Sequence, residues 1–294
     1  MAVNVSIIIV SYNTSELLQN CIESIIQKTK EISYEIIVVD NQSTDDSIQM
    51  VKEKFPDVEL IASNTNQGFG KANNLGVKSA TGDYIFFLNS DTILINNAIK
   101  ILYDFMESSS DKIAACGGNL FKSDGTPNYS YSTEYPSLTT LLSYRFKSIL
   151  PKKIDFFNHT DKPKEVAVII GADLFMRKDI FEKLNGFDEN FFMYIEDSEL
   201  QLRLHKSKFS IYSIPVAKIV HLQGKSSVSY SRTKMEITSY RYYFHKHFSK
   251  LHILMYYIIE SLYILSRLLY NTLYFKNEKR KDYWRLLKHL FSFK

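Results

Sequence analysis

Short runs of apolar residues recur along the N-terminal part of the chain, each followed by polar residues and then by a helix-like pattern. Each run is too short for a buried helix and too continuous for a strand with one wet face, which predicts strands buried on both sides. Strands that alternate with helices at this spacing predict an α/β fold, with a mostly parallel sheet and helices on both faces. The predicted strands are 5–10, 35–39, 58–62 and 85–88, and the helices include 16–28 and the segment around 48–51.

The polar residues that end these strands form the first candidate site. In an open sheet of this type the carboxyl ends of the strands share one edge, and ligands bind there. Asp91 is a carboxylate placed just after the 85–88 run; the alternative is that it caps a helix beginning near Ile93. The alternative for the other residues is that they only form turns, since Asn and Asp favour turns and Gly adopts the backbone angles that turns require. The predicted edge carries Tyr12, Asn13, Asp40, Asn41, Gly68, Gly70, Asn89 and Asp91.

A second candidate site follows an aromatic run, where Glu196, Asp197 and Glu199 place three carboxylates within four residues. On a helix Glu196 lines up with Glu199 and Arg203, so a structural ion pair on an exposed face is one interpretation. The other is a buried helix start, because a carboxylate with apolar neighbours has a raised pKa and can act as a general base. These residues alone leave both interpretations open.

His221 ends the apolar stretch 216–220. A lone His after a strand is commonly a satisfied loop residue. Together with a carboxylate it can instead help to bind a divalent ion that takes oxygen ligands from a diphosphate. Two other nucleotide-binding designs are excluded, because 68–74 lacks the third glycine of the dinucleotide fingerprint and no P-loop sequence occurs.

The middle of the chain carries weaker patterns. An apolar run predicts a strand over 113–118, and the residues after it predict a hairpin over 119–133 that turns at 123–125. Scattered Pro, Lys and aromatic residues over 134–165 indicate a loop. Strands are predicted to resume over 166–170 and 174–176.

The C-terminal segment differs from the rest in charge and aromatic content. Residues 231–294 hold 13 Lys and Arg against 4 Asp and Glu, whereas residues 1–230 hold 23 against 28. The stretches 251–275 and 276–294 predict two amphipathic helices, the second cationic and aromatic as suits anionic lipids. Polar residues interrupt the first, which argues against a membrane span. The alternative is a packed helical subdomain or a dimer interface. Motifs of nucleic-acid readers are absent, so no nucleic acid is expected.

The two cysteines, Cys21 and Cys116, lie in apolar patterns, which predicts buried thiols of a reducing compartment. The chain begins without the basic and apolar segments of a signal peptide. Both observations favour a cytoplasmic location.

These motifs, taken together and in order, resemble the inverting GT-A glycosyltransferases of family 2, in particular the bacterial rhamnosyltransferase-like members. The motifs lie at 5–13, 36–45, 66–76, 88–91, 186–203 and 221–226. The resemblance implies a GT-A catalytic domain over 1–230, with a nucleotide-sugar-binding half over about 1–118 and an acceptor-binding half over about 119–230. A basic, aromatic helical extension would follow over 231–294.

The resemblance also implies roles for individual residues. Tyr12 and Asp40 would meet the base and ribose of the donor, and Asp197 would be the general base. Asp91 would bind Mn²⁺ or Mg²⁺ with His221 as an additional ligand. Asn89 stands where the family's Asp-x-Asp signature often has its first aspartate, so a single carboxylate would hold the ion loosely, with the donor's phosphates and water completing its shell. The implied nucleotide-sugar site is Ser11, Tyr12, Asn13, Asp40, Asn41, Gly68, Lys71, Asn73, Asn89, Ser90 and Asp91, and the acceptor or phosphate neighbourhood is Gly171, Ala172, Glu196 and Arg203.

The implied activity is transfer, with inversion, of rhamnose or another hexose from a UDP- or dTDP-linked donor to a glycan acceptor in bacterial cell-surface polysaccharide synthesis. One base and one metal suffice, because a diphosphate leaving group needs no protonation, whereas a hydrolase uses two carboxylates. The tail and the family together predict a lipid-linked acceptor and a peripheral position on the inner face of the cell membrane; a homo-oligomer is left open.

Two alternatives come from other classes of protein. A nucleotidyltransferase favours a Gly-rich loop with a basic residue after the first strand, which residues 11–15 lack. A catalytically inactive, membrane-associated scaffold would bind a partner through the tail, and the intact Asp91 and Asp197 argue against it.

Overall fold

A computed structural model describes residues 3–150, 155–222 and 229–292. The chain divides into two compact units. The first comprises Met1–Tyr135, Asp155–Glu189 and Glu196–Gly224, and the second Pro136–Ile154, Asn190–Ile195 and Lys225–Lys294. Of the motif at 221–226, residues 223–226 lie outside the described residues. The domain boundary at residue 230 stays a prediction.

Strands and helices alternate through most of the first unit. In chain order the elements are β1 (Val5–Ser11), α1 (Ser15–Lys28), β2 (Tyr34–Asp40), α2 (Ser47–Lys54), β3 (Glu59–Ala62), α3 (Phe69–Val77), β4 (Tyr84–Asn89), β5 (Thr92–Leu94), α4 (Ala98–Glu107), β6 (Ile113–Phe121), β7 (Tyr131–Ser132), α5 (Leu138–Arg145), β8 (Lys164–Val166), β9 (Val168–Ile169), β10 (Asp173–Arg177), α6 (Lys178–Lys183), α7 (Glu196–Lys206), β11 (Ser210–His221), α8 (Ser229–His247), α9 (Lys250–Leu273) and α10 (Asn277–Leu290).

The main sheet of the described residues is mixed and has the order β3-β2-β1-β4-β10-β6-β11-β5, with β8 paired to β11. Its first half is parallel, since β1 pairs in parallel with both β2 and β4, and β2 with β3. β10 runs antiparallel between β4 and β6, whereas β11 is parallel to β6. This arrangement confirms the predicted α/β fold and brings the ends of β1, β2 and β4 to one edge.

The core follows from the apolar runs. β1 and β4 are buried almost throughout, and helices cover both faces of the sheet. α1 shows how the amphipathic pattern works, because Leu18, Cys21, Ile22 and Ile25 recur at helical spacing and are all fully buried. Cys21 and Cys116 are free, buried thiols, as predicted.

Several predictions from the sequence can be compared with the elements. The turn predicted at 123–125 is present, since the Lys122 N–H donates to the Thr126 carbonyl. The helix predicted to begin near Ile93 is wrong, because Thr92–Leu94 pairs antiparallel with Ile219–His221 and the helix begins at Ala98. The loop predicted over 134–165 is wrong in part, because α5 lies within it, with a capping box between Ser137 and Thr140.

The second unit contains α5, α8, α9 and α10 and is held together around buried charges. The Arg145 guanidinium lies 3.2 Å from a Glu236 carboxylate oxygen and 2.9 Å from one of Glu260, and all three side chains are buried. Aromatic rings of α8 and α9 stack beside them, with the Phe244 and Tyr256 centroids 5.0 Å apart. A buried cation paired with two carboxylates among aromatic rings therefore joins α5 to α8 and α9.

Candidate active site

The ends of β1 and β2 bring the first polar group together within the first unit. Ser11 and Asp40 are register partners on adjacent parallel strands. Asp40 is buried; one carboxylate oxygen accepts the Ser43 N–H at 2.9 Å and the other, Oδ1, has no partner among the described residues. Asn13 has a left-handed φ of 54° and accepts the Thr44 N–H at 2.7 Å. The exposed Tyr12 ring stands beside this group in the chain, so the edge offers an aromatic face and an unsatisfied carboxylate oxygen.

The start of α3 forms the neighbouring part of the edge. Asn41 is buried and donates to the Asn66 side chain and the Gly68 carbonyl at 3.0 and 3.2 Å. Gly68 has a φ of 78°, which lets the chain turn into the helix. Lys71 is exposed and lies 3.4 Å from Glu189. Asn73 is buried and donates to the Phe69 carbonyl at 3.0 Å, so this amide is used within the helix itself.

The end of β4 carries the predicted metal site. Asn89 donates its N–H to the Ala172 carbonyl at 3.1 Å, and the Ser90 hydroxyl lies 3.1 Å from that of Thr14. Asp91 Oδ1 lies 3.2 Å from His221 Nε2, and both side chains are mostly shielded from solvent. The antiparallel pairing of β5 with the end of β11 brings these two residues together. His221 Nδ1 is buried without a partner among the described residues.

Asp197 lies in the first turn of α7 and is fixed from two sides. Its Oδ2 accepts the Gly171 N–H at 2.9 Å, and its Oδ1 accepts the Ser198 N–H at 2.6 Å. A Cβ at Gly171 would come within 3.2 Å of the Asp197 side chain, a tight contact that would push this carboxylate by a few tenths of an ångström. Burial raises the pKa of Asp197, although its hydrogen bonds act in the opposite direction. The second interpretation of this cluster, a partly buried carboxylate with raised pKa, is the one that this geometry favours.

Hydrogen bonds connect the two candidate sites through one short segment. Ala172 accepts from Asn89 at the end of β4, and the adjacent Gly171 donates to Asp197 at the start of α7. The strand ends near Asp91 and the carboxylate of Asp197 are therefore joined by backbone groups on neighbouring residues. The structure thus brings together Asp91, His221, Gly171, Ala172 and Asp197.

Glu196 and Arg203 lie at the start and in the last part of α7, and the contacts of Arg203 are those of a residue that holds the helix in place. Arg203 donates to Glu199 at 2.9 Å and to the carbonyls of Leu184 and Gly186 at 2.5 and 2.7 Å. The Glu199–Arg203 ion pair expected on an exposed face therefore exists, but Glu199 is fully buried. Glu196 is also buried. These contacts fasten α7 to the segment that precedes it.

Two buried polar residues of this region were missed from the sequence. Gln201 is fully buried, accepts the Ile169 N–H at 2.7 Å and donates to the Ile169 carbonyl at 2.7 Å. Its amide also donates to the Asp197 carbonyl at 3.1 Å. Asp173 is fully buried, accepts the Gly118 N–H at 2.7 Å and has its pKa raised well above the ordinary value by burial. Only the i, i+4 spacing of Gln201 from Asp197 hinted at a shared role.

Among the described residues, no group of three or more His, Cys, Asp and Glu side chains is arranged to hold a metal ion. The Asp91–His221 pair offers one carboxylate and one imidazole. Two protein ligands suit an ion that is completed by oxygens from a bound substrate.

A mixed sheet with polar strand ends along one edge and a partly buried carboxylate on a following helix defines an α/β protein with a ligand site at the carboxyl ends of its strands. The chain belongs to glycosyl transferase family 2, whose profile matches residues 6–185. A second profile, described as the N-terminal domain of galactosyltransferase, matches residues 154–246. These matches confirm the family that the motifs indicated and show that the protein is a glycosyltransferase.

Similar proteins include several bacterial transferases. The chain is 29% identical to dTDP-rhamnosyl transferase RfbF of Shigella flexneri, over 82% of this chain and 77% of RfbF. It is 26% identical to the N-acetylglucosaminyl-diphospho-decaprenol L-rhamnosyltransferase of Mycobacterium tuberculosis, over 75% and 76% of the two chains. The O-antigen biosynthesis protein RfbC of Myxococcus xanthus is 25% identical over 76% of this chain, which is only 17% of RfbC.

A solved structure supports the fold. The crystal structure of GalNAc-T7 with UDP, GalNAc and Mn²⁺ aligns with a TM-score of 0.59 and 14% identity, covering 82% of this chain and 50% of that one. At this identity the similarity shows the fold alone.

Proposed function

We propose that this glycosyltransferase moves rhamnose or another hexose, with inversion, from a UDP- or dTDP-linked donor to a glycan acceptor of bacterial cell-surface polysaccharide synthesis. One observation carries the proposal: the carboxylate of Asp197 is held by the Gly171 N–H, and burial raises its pKa. A carboxylate in this state accepts a proton from an attacking hydroxyl more readily than an ordinary aspartate does. RfbF, by its name a dTDP-rhamnosyl transferase, supports the choice of donor.

The Asp91–His221 pair is the proposed site of Mn²⁺ or Mg²⁺. Its 3.2 Å separation suits adjacent ligands of one ion, because octahedral ligands at about 2.1 Å lie about 3 Å apart. Nε2 of His221 faces Asp91 and would be the ligating nitrogen, whereas the buried Nδ1 has no partner among the described residues. When bound, the ion would offset the charge that develops on the diphosphate leaving group. Mn²⁺ fits the imidazole ligand better than Mg²⁺ does.

The remaining edge residues are proposed to hold the nucleotide. The exposed Tyr12 ring would face the base, and the unsatisfied Asp40 Oδ1 would accept a hydrogen bond from the base or ribose. Ser11, Asn13, Asn41, Gly68, Lys71, Asn89 and Ser90 complete the proposed surroundings of the donor. Asn73 has the weakest support, because its amide is bonded within α3.

Thermal unfolding with UDP, dTDP, GDP and ADP, each with and without Mn²⁺, tests the donor site. A ligand at about 100 times its dissociation constant stabilises the folded state by about 2.7 kcal/mol, which raises the unfolding midpoint measurably. The expected result is a metal-dependent shift with UDP or dTDP that Asp91→Ala abolishes. Equal shifts of the unfolding midpoint with and without metal would contradict the assignment of Asp91 as a metal ligand.

Asp197→Asn tests the base. The variant should lose transfer while binding the donor diphosphate as the wild type does, because Asn accepts the Gly171 N–H but no proton from the acceptor. The matched control is Asp179→Asn, an exposed carboxylate in the first turn of α6. Full turnover by Asp197→Asn would refute the role of Asp197 as the base.

The second unit is proposed to lie on an anionic membrane surface on the cytoplasmic side and to meet a lipid-linked acceptor there. By length and composition alone α9 could cross a membrane, although part of it is buried inside the protein. Exposed apolar residues recur along the length of this helix, with Leu251 66%, Leu262 55% and Leu273 64% exposed. α10 adds the exposed Trp284 and several Lys and Arg residues. An apolar face beside cationic residues is typical of a helix that lies in the interface.

Co-sedimentation with anionic liposomes tests this surface. Leu262→Glu should release the protein, whereas Ile149→Glu, which changes another exposed aliphatic residue of the same unit, should not. The competing explanation is that the exposed face of α9 is a dimer interface. Sedimentation velocity without lipid tests it, because Leu262→Glu would then convert a dimer to a monomer.

A further inference from the structure

The second unit contains an open pocket of about 360 Å³ that no part of the proposed donor site uses. It lies between the segment Asn190–Ile195 and the N-terminal half of α8. Its volume is within the range of small-ligand sites, roughly 300–1,000 Å³. The lining residues are Phe192, Met193, Tyr230, Ser231, Lys234, Met235, Thr238 and Ser239.

The pocket wall is apolar and adaptable. Two methionines, Met193 and Met235, line it together with the rings of Phe192 and Tyr230. The Phe192 ring is 45% exposed, although its neighbour Phe191 is fully buried. Methionine side chains adjust to irregular, flexible apolar ligands, and an exposed aromatic ring inside a cavity loses water when such a ligand enters. The wall therefore suits a branched hydrocarbon chain.

The segment that forms one wall is held in a costly conformation. The Ser239 hydroxyl, itself buried, donates to the Met193 carbonyl at 2.7 Å. Tyr194 and Ile195 follow with φ angles of 70° and 73°, a conformation that a β-branched residue rarely adopts. Strained backbone of this kind persists where the surrounding fold fixes it, and it is frequent at functional sites. These two residues come shortly before Asp197 in the sequence, which follows Met193 by four residues.

One side of the pocket is cationic. Lys234 lines it, is exposed and forms no ion pair within the described part of the chain. Thr238, another lining residue, lies 2.8 Å from His289 of the basic helix α10. Burial lowers the pKa of His289, and the nearby guanidinium of Arg241 and ammonium of Lys234 lower it further, so cationic groups lie along this side. An anionic head group attached to the hydrocarbon would find a complementary charge here.

We propose that this pocket binds the first isoprene units of a polyprenyl diphosphate, with Lys234 against the phosphates. The inference rests on the proposed function, since it names the lipid class of the acceptor. The mycobacterial relative, by its name, acts on a diphospho-decaprenol acceptor. The pocket gives Phe192 and Met193 a role that the donor and base assignments do not use.

Calorimetric titration of the purified full chain with farnesyl diphosphate tests the proposal without any glycosyl transfer. EDTA in the buffer prevents metal-dependent binding of the diphosphate at Asp91. Met235→Trp fills the pocket and should weaken binding about tenfold or more, as expected when an apolar group loses its site. Lys234→Ala should weaken farnesyl diphosphate about fivefold, as for an exposed ion pair, and leave farnesol unchanged. Inorganic diphosphate alone should bind far more weakly than farnesyl diphosphate.

The controls carry the same substitutions outside the pocket. Met255→Trp and Lys250→Ala change an exposed methionine and an exposed lysine of α9 and should leave the affinity within about twofold. Equal affinity in Met235→Trp, Lys234→Ala and the wild type would overturn the proposal, as would loss of binding in Met255→Trp alone, which would assign the hydrocarbon to the α9 surface. Thermal shifts with UDP and dTDP, measured on the same variants, keep a failure of the donor site separate.

Discussion

Gln201→Leu is the substitution that best tests how the proposed base, Asp197, is held in place, without changing Asp197 itself. Gln201 is fully buried, and its amide both donates to and accepts from the backbone of Ile169, also fully buried. Leucine has a similar volume but satisfies neither group, so the Ile169 N–H and C=O lose their partners. An unsatisfied buried polar group costs about 1–3 kcal/mol, which gives about 2–6 kcal/mol for the pair.

Catalysis should fall as well, because Gln201 also donates to the Asp197 carbonyl at 3.1 Å and ties α7 to β9. Displacement of a catalytic group by about 1 Å costs on the order of 100-fold in rate. Urea unfolding measures the first effect and single-turnover transfer the second, with the exposed Gln49→Leu as control. A Gln201→Leu variant with the wild-type urea midpoint and turnover would refute the reasoning.

Three further results are expected. The acid limb of the pH–rate profile should lie above the ordinary aspartate range, because Asp197 acts deprotonated and burial raises its pKa. Burial also raises the pKa of Asp173, so the contribution of that group to the stability of the folded state falls as pH rises. The urea midpoint of Asp173→Asn should therefore rise relative to that of the wild type between about pH 5 and about pH 8. Arg145→Met leaves Glu260 buried without its cation, whereas Glu236 keeps Arg232 at 2.9 Å, and calorimetric unfolding should show a loss of about 3–5 kcal/mol.

The parts of the fold that followed from sequence are those encoded locally. β1, β2 and β4 are continuous apolar runs, and the topology of parallel strands places their ends at one edge whatever the details of packing. β5 was missed because three residues after a polar tip carry no periodic signal; only pairing with the distant end of β11 makes them a strand. α5 was missed because its hydrophobic pattern is weak and its capping box, Ser137 with Thr140, uses Thr in place of Glu or Gln.

The residues of the candidate site likewise fall into those that could be found from the sequence and those that could not. Asp91 and Asp197 could be singled out because each follows an apolar segment directly, whereas Gln201 and Asp173 lie among ordinary helix and strand residues. Their roles depend on β9 and β6 coming next to them, and nothing within a few residues of either encodes that contact. The strained Tyr194 and Ile195 were equally hidden, since a positive φ at a β-branched residue contradicts its local preference.

The surroundings of Asp197 show how the fold balances two opposed effects on one carboxylate. The N–H groups of Gly171 and Ser198 favour the charged form, while burial disfavours it more strongly. Hydrogen bonds alone would give a well-oriented but weakly basic carboxylate, and burial alone would give a basic but poorly oriented one. A glycine at 171 permits both, because it brings an N–H close to Asp197 while the absent Cβ leaves the room that the carboxylate occupies. The proposed base is thus set by backbone groups that an acceptor need not contact.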